Sequence, residues 1–169
     1  MRQPAPHVRI LLAIADVGRS VDYLEEAGIA EPVTIRHARN RKPVRSERPC
    51  ITIIMTGDEP RPDEMQRNDW ETTREMTFDL QADMELPTEV SDEDPTGLGD
   101  ISLFLAAMVY AIRAPGNPLL QLVDWVMPGK LDPNDDSPSD DGRMTRGLSV
   151  VYRVRSDDEN ELLAAGEQS

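Results

Sequence analysis

Residues able to do chemistry are few in this chain, and none is grouped as catalysis or metal binding requires. His7 and His37 are the only histidines, and neither has a ligand-type residue two or four positions further on. A metal centre built on either would need carboxylates to complete it, so surface or packing roles are expected for both. Cys50 opens an apolar run with no histidine near it in sequence. A small buried thiol is expected there rather than a nucleophile, which needs an adjacent base. Asp132, Asn134 and Asp136 have the alternating spacing of a calcium loop. Ser137 stands where that loop needs glycine, and Arg143 stands where it needs a bidentate glutamate. The Ser91-Asp-Glu-Asp94 run reads the same way, as a solvated acidic loop. Gly97-Leu-Gly99 lacks the third glycine of a dinucleotide cradle and follows an acidic loop instead of a strand. Asp79 and Asp83 share one face of an alternating segment, where simple wet-face polarity accounts for them.

The distinctive cluster is basic. Arg36, Arg39, Arg41, Lys42, Arg45 and Arg48 lie within thirteen residues, with Glu47 as the only acid. Such a stretch can touch DNA, dock on an acidic partner including another copy of this chain, or simply stay solvated. The stretch carries no aromatic to stack on bases, which weakens the nucleic-acid option.

These residues sit in a chain of 169 residues with a formal charge of −14. The first fifty residues carry a net +3, and the remainder carries −17. Nonspecific wrapping of nucleic acid is unexpected for such a balance, because phosphate binding needs clustered Lys and Arg. One cysteine excludes an internal disulfide framework. The runs Ile10–Ala15 and Leu103–Ala107 are far too short to span a bilayer, and the first twenty residues do not read as a signal peptide.

The elements that must position these groups follow from periodicity. Residues 7–26 read as helix, with Val8, Leu11, Leu12, Ala15, Val21 and Leu24 near one face, Gly18 as a possible break and Gly28 as a stop. Val33–His37 and Cys50–Thr56 read as strands. Met76, Phe78, Leu80, Ala82 and Met84 alternate with polar residues, the signature of a strand with one buried face. Residues 100–113 read as a helix, with Asp100 as N-cap and Ile101, Leu105, Met108 and Ile112 on its inner face. Leu119–Met127 fits strand or short helix, residues 128–143 an acidic turn region, and Leu148–Val154 a closing strand. The expected architecture is α+β: an antiparallel or mixed sheet of four to five strands with two main helices on one face. One domain is expected over residues 1–155, followed by an acidic tail over 156–169.

This order of parts resembles the phage tail terminator proteins, the lambda-like tail-completion family. The resemblance covers about residues 7–155. It rests on the short amphipathic N-terminal helix, the basic turn Arg41-Lys-Pro-Val44, and the strand led by Pro49 that ends in Thr56-Gly57. Trp70 at the start of the alternating strand and the closing strand with Tyr152 complete it. The acidic loop 128–143 and the extra tail depart from the family pattern. The resemblance implies a structural virion protein without catalysis or cofactor. Such a protein assembles as a ring, usually a hexamer, in the host bacterial cytoplasm. The ring caps the head-proximal end of the tail tube, stops tube growth and offers a surface to the head-side connector. A neck adaptor or tail-tube-like component is the close alternative. DNA would pass through the lumen without specific binding, and no membrane is involved. Arg36, Arg39, Arg41, Lys42, Arg45 and Arg48 become candidates for a subunit or partner interface. Asp92, Glu93 and Asp94 become candidates for an acidic loop facing the lumen or a partner.

Overall fold

A computed structural model describes residues 4–37, 47–61, 71–85, 89, 91–94, 97–133 and 141–155. The elements are α1 (Pro6–Ser20), α2 (Tyr23–Ala27), β1 (Thr34–His37), β2 (Cys50–Pro60), β3 (Glu71–Glu85), α3 (Gly99–Arg113), a 3-10 turn (Pro118–Gln121), β4 (Trp125–Pro133) and β5 (Asp141–Arg155). The five strands form one open mixed sheet in the order β1-β2-β3-β5-β4. Only the β1–β2 pair is parallel. This is the expected α+β architecture, with α1 and α3 on one face.

The core forms where the alternating side chains of the sheet meet the helices. Met76, Phe78, Leu80 and Ala82 of β3 are buried, as are Ile51 and Ile53 of β2 and Leu148, Val150, Tyr152 and Val154 of β5. Above them, α3 buries Ile101, Phe104, Leu105, Met108 and Ile112. That stripe is the one its periodicity predicts.

In α1 the buried residues are Ile10, Ala13, Ile14, Ala15, Val17 and Gly18, and Leu11 and Val21 pack partly against the core. Of the expected face, Ala15 is therefore inside, whereas Leu12 and Leu24 are exposed and the stripe is centred on Ile10, Ile14 and Val17 instead. Two apolar stripes overlap in Ile10–Ala15, so periodicity alone cannot choose between them. A Cβ at Gly18 would lie 2.9 Å from Met108 Cε, so the end of that side chain would have to shift to admit one. Gly18 stays inside the helix. The break comes at Val21–Asp22, where the Asp22 carboxylate caps α2 by accepting from the amides of Leu24 and Glu25. Gly28 closes α2 in the left-handed conformation at φ 69°, as expected for a C-terminal glycine.

The strands are longer than their apolar cores. β3 and β5 each run fifteen residues and pair along their whole length. β4 extends through Pro133 and β5 begins at Asp141, so much of the expected 128–143 turn region is hairpin. Neither extension alternates in hydropathy, which hides it from pattern reading. Residues 58–60, beyond the expected strand end at Thr56, likewise belong to β2.

The stretch Gly99–Gln121 is apolar and long enough, by composition, to cross a membrane. Its continuous helix is only fifteen residues, roughly 22 Å, and stops before Pro115-Gly116. That is shorter than a hydrocarbon core of about 30 Å.

Candidate functional site

The polar residues singled out by sequence gather mainly on the open face of the sheet, at the β1 end. Register places Arg36 beside Thr52, Thr52 beside Gln81, and Asp83 between Cys50 and Arg143. Arg36 donates to Glu47 at 2.9 Å, with both side chains largely buried. Arg143 Nε donates to Asp83 Oδ1 at 2.7 Å, and Gln81, with its amide oxygen turned toward the guanidinium, accepts from Arg143 Nη1 at 2.9 Å. Cys50 is fully buried, 3.7 Å from the Thr52 hydroxyl.

Asp83 is only 2% exposed, which corrects its expected place on a wet face. Arginine stems cover it, and long basic side chains can shield a sheet surface that no helix reaches. Burial pushes its carboxyl above the usual range. The hydrogen bond and charge of Arg143, then the charges of Arg48 and Arg36, oppose that rise without cancelling it. Its second oxygen, Oδ2, is buried without a hydrogen-bond partner. Burial likewise pushes the Cys50 thiol up, against the opposing effects of Thr52 and Arg36. An inert, protonated thiol follows, as the sequence suggested.

Two of the six basic candidates are therefore partly buried in this cluster: Arg36 within β1, and Arg48 just before the cis bond to Pro49. Arg39, Arg41, Lys42 and Arg45 lie outside the described residues.

At the far end of β3 a second polar group lies on the opposite face, under the helices. A β-bulge between Met55 and Gly57 shifts the alternation of β2, so that Asp58 stands opposite Met76 on the core side. There Asp58 Oδ1 accepts from Arg74 Nε at 3.0 Å and Oδ2 accepts from the buried Tyr152 hydroxyl at 2.7 Å. Arg74 also donates to the Asp58 carbonyl at 3.2 Å. Burial, then the Asp58 carboxylate, holds the Tyr152 phenol well above its ordinary range. Nothing in local sequence marks this trio, because the bulge that aims Asp58 inward has no hydropathy signature.

The acidic candidates separate. Asp92 and Glu93 are exposed. Asp94 has a structural role: its Oδ2 accepts from the Gly99 amide at 2.7 Å at the start of α3. It does the work expected of Asp100, which lies one residue inside the helix with Leu98 at the N-cap position. A Cβ on Gly99 would sit 2.6 Å from Asp94 Oδ2, so the glycine is needed for that approach. The chain's own carboxylate thus occupies the helix N-terminus where a phosphate would bind. Asp132 lies within β4, 2.7 Å from Lys130 Nζ, and Arg143 lies within β5, so the calcium-loop spacing is drawn into a hairpin. Asn134, Asp136 and Ser137 are outside the described residues. Among the described residues no group of three or more His, Cys, Asp or Glu is arranged to hold a metal.

What the sequence did not single out are two exposed apolar surfaces on opposite sides of the sheet. Tyr110, 71% exposed, and Leu103, 55%, lie on the outer side of α3, whereas Trp125, 68%, and Met127, 57%, lie on the helix-free face of the edge strand β4. The chain has only seven aromatic residues, so placing Tyr110 and Trp125 on the outside is a heavy commitment. Large exposed apolar side chains mark interaction surfaces, and aromatics are the usual anchors. Between α3 and the β4–β5 hairpin lies an open groove of about 590 Å³. One wall is the outer stripe of α3: Ser102, Ala106, Val109, Tyr110 and Arg113. The other is Leu131 and Arg146. Among the described residues, none that lines it is acidic. The chain matches no protein-family model and no curated protein sequence.

Proposed function

We propose that this protein is a structural component of a phage tail or a related particle. In this reading it assembles as a ring, a hexamer by analogy, on the head-proximal end of the tail tube. It halts tube growth and presents a joining surface to the head-side connector. The observation that carries the reading is the pair of exposed apolar surfaces, one on α3 and one on the opposite face at β4, on a chain whose order of elements resembles tail terminators. Tyr110, Trp125, Met127 and Leu103 are all more than half exposed. A heterologous contact between copies would cover such a surface and close a ring. The charge is compatible: six copies at −14 each carry −84, which repels phosphate and lets DNA slide past. Asp92 and Glu93, both exposed, remain candidates for such a lumen.

Electron microscopy of particles assembled without this protein tests the reading. Tails of uncontrolled, excessive length are expected. Tails of normal length that fail to join heads or hold DNA would point to a neck adaptor instead. Normal, infectious particles would overturn both.

A further inference from the structure

We propose that the groove between α3 and the β4–β5 hairpin receives the acidic C-terminal segment, Asp157–Ala165, of a second copy of this chain. The proposal rests on the ring reading and names the segment that one copy hands to the next. The groove is apolar along Leu105, Ala106, Val109 and Leu131, and it carries two cations, Arg113 and Arg146. Arg146 lines the groove, and its guanidinium has no acidic neighbour among the described lining residues. A carboxylate brought to such a guanidinium makes a charge-assisted hydrogen bond. The fitting occupant is an apolar run beside carboxylates. In an otherwise acidic chain, residues 157–165 read Asp-Asp-Glu-Asn-Glu-Leu-Leu-Ala-Ala, four carboxylates followed by four apolar residues. Residues 156–169 contain no Lys or Arg. The other acidic stretches, 58–68, 88–99 and 131–143, contain no comparable apolar run.

Chain length selects the copy. Arg146 lies nine residues before Arg155 on β5, about 30 Å away along the strand. Leu162 is seven residues beyond Arg155, which spans at most about 25 Å. The leucine pair therefore falls short of the Arg146 end of its own groove, whereas a neighbour's is not so limited. Each copy gives a segment and receives one, the head-to-tail relation from which rings are built.

The test uses a fluorescent peptide of residues 156–169 and full-length protein as receptor, read by anisotropy. Saturable binding is expected, together with at least tenfold weakening by Tyr110→Glu or Arg113→Glu in the receptor. The same loss is expected from Leu162→Glu/Leu163→Glu in the peptide. Both receptor positions are exposed, and unchanged thermal melting confirms that the variants fold. Absence of saturable binding would overturn the proposal, as would binding indifferent to both receptor variants. Binding blocked by the receptor's own segment even at concentrations where the receptor sediments as a monomer, and restored there by Leu162→Glu/Leu163→Glu, would place each segment in its own groove and overturn the intermolecular claim. Rings that form without peptide binding would leave the ring reading standing and remove this one. Peptide binding without rings would do the reverse.

Discussion

Two carboxylates on either side of one sheet, one half-buried and one buried, are treated differently by their surroundings. Asp58 lies under the helices with both oxygens engaged, one by Arg74 and one by Tyr152. Asp83 lies on the face without helices, with one oxygen on Arg143 and the other unmatched. Both belong to cross-strand arginine pairs, yet only the first is a closed network. A satisfied buried network holds its strands in register, whereas a half-satisfied one costs nearly as much as it returns. The teaching is that an ion pair in the sheet is informative only once every polar atom of it has been followed to a partner.

The largest expected effect comes from breaking the closed network. Asp58→Ala strands both Arg74 and the buried Tyr152 hydroxyl, and a loss of about 3 kcal/mol is expected in urea unfolding. Tyr152→Phe removes one donor and leaves Asp58 Oδ2 facing an apolar ring, for about 1–2 kcal/mol.

Asp83→Asn sharpens the contrast, because at neutral pH it is expected to change stability by less than about 1 kcal/mol. It should also alter the pH profile. The folded-state pKa of Asp83 is raised, so the native state holds its proton more tightly than the unfolded chain does. Its contribution is therefore full below the ordinary carboxylate value, about 4, and is lost as pH rises through the raised folded value. Relative to Asp83→Asn, the parent chain should lose stability as pH rises through that interval. A difference that grows in the opposite direction would mean that Arg143 outweighs burial.

The smallest expected effect concerns the neighbouring thiol. Cys50 is fully buried with its pKa raised, so alkylation should follow the urea dependence of unfolding and not proceed in the native state. Rapid modification in buffer would mean that the Asp83 region opens locally, making the two ends differ in dynamics as well as in bonding.

Much of the fold was legible because hydropathy has a period wherever one face is buried. Met76–Met84, Ile101–Ile112 and Leu148–Val154 were found that way, and the structure places each as expected. Legibility failed for three physical reasons. Alternation vanishes where a strand is polar on both faces, as at Asp141–Arg146. The bulge near Thr56 reverses which residues face inward, and bulges leave no periodic mark. Pairings such as Asp83 with Arg143 join residues sixty positions apart, and only the register brings them together. The groove was missed because Val109 and Tyr110 read as part of an apolar helix and Leu131 as part of an acidic turn region, with no hint that the two would face each other.

The bulge in the edge strand has a consequence for how this molecule can multiply. Between Pro128 and Leu131 the β4–β5 register slips, and Gly129 packs so closely that a Cβ there would touch the Gly147 backbone at 3.2 Å. A proline removes one amide from that strand, and the kink spoils the straight run of donors and acceptors a neighbouring strand would need. At the opposite margin β1 is only four residues long, and Arg19 reaches the Ile35 carbonyl at 3.4 Å. Neither margin is a template for endless strand addition. Under the ring reading, copies would therefore meet through side chains, and such a contact ends in a finite ring only where its rotation closes on itself.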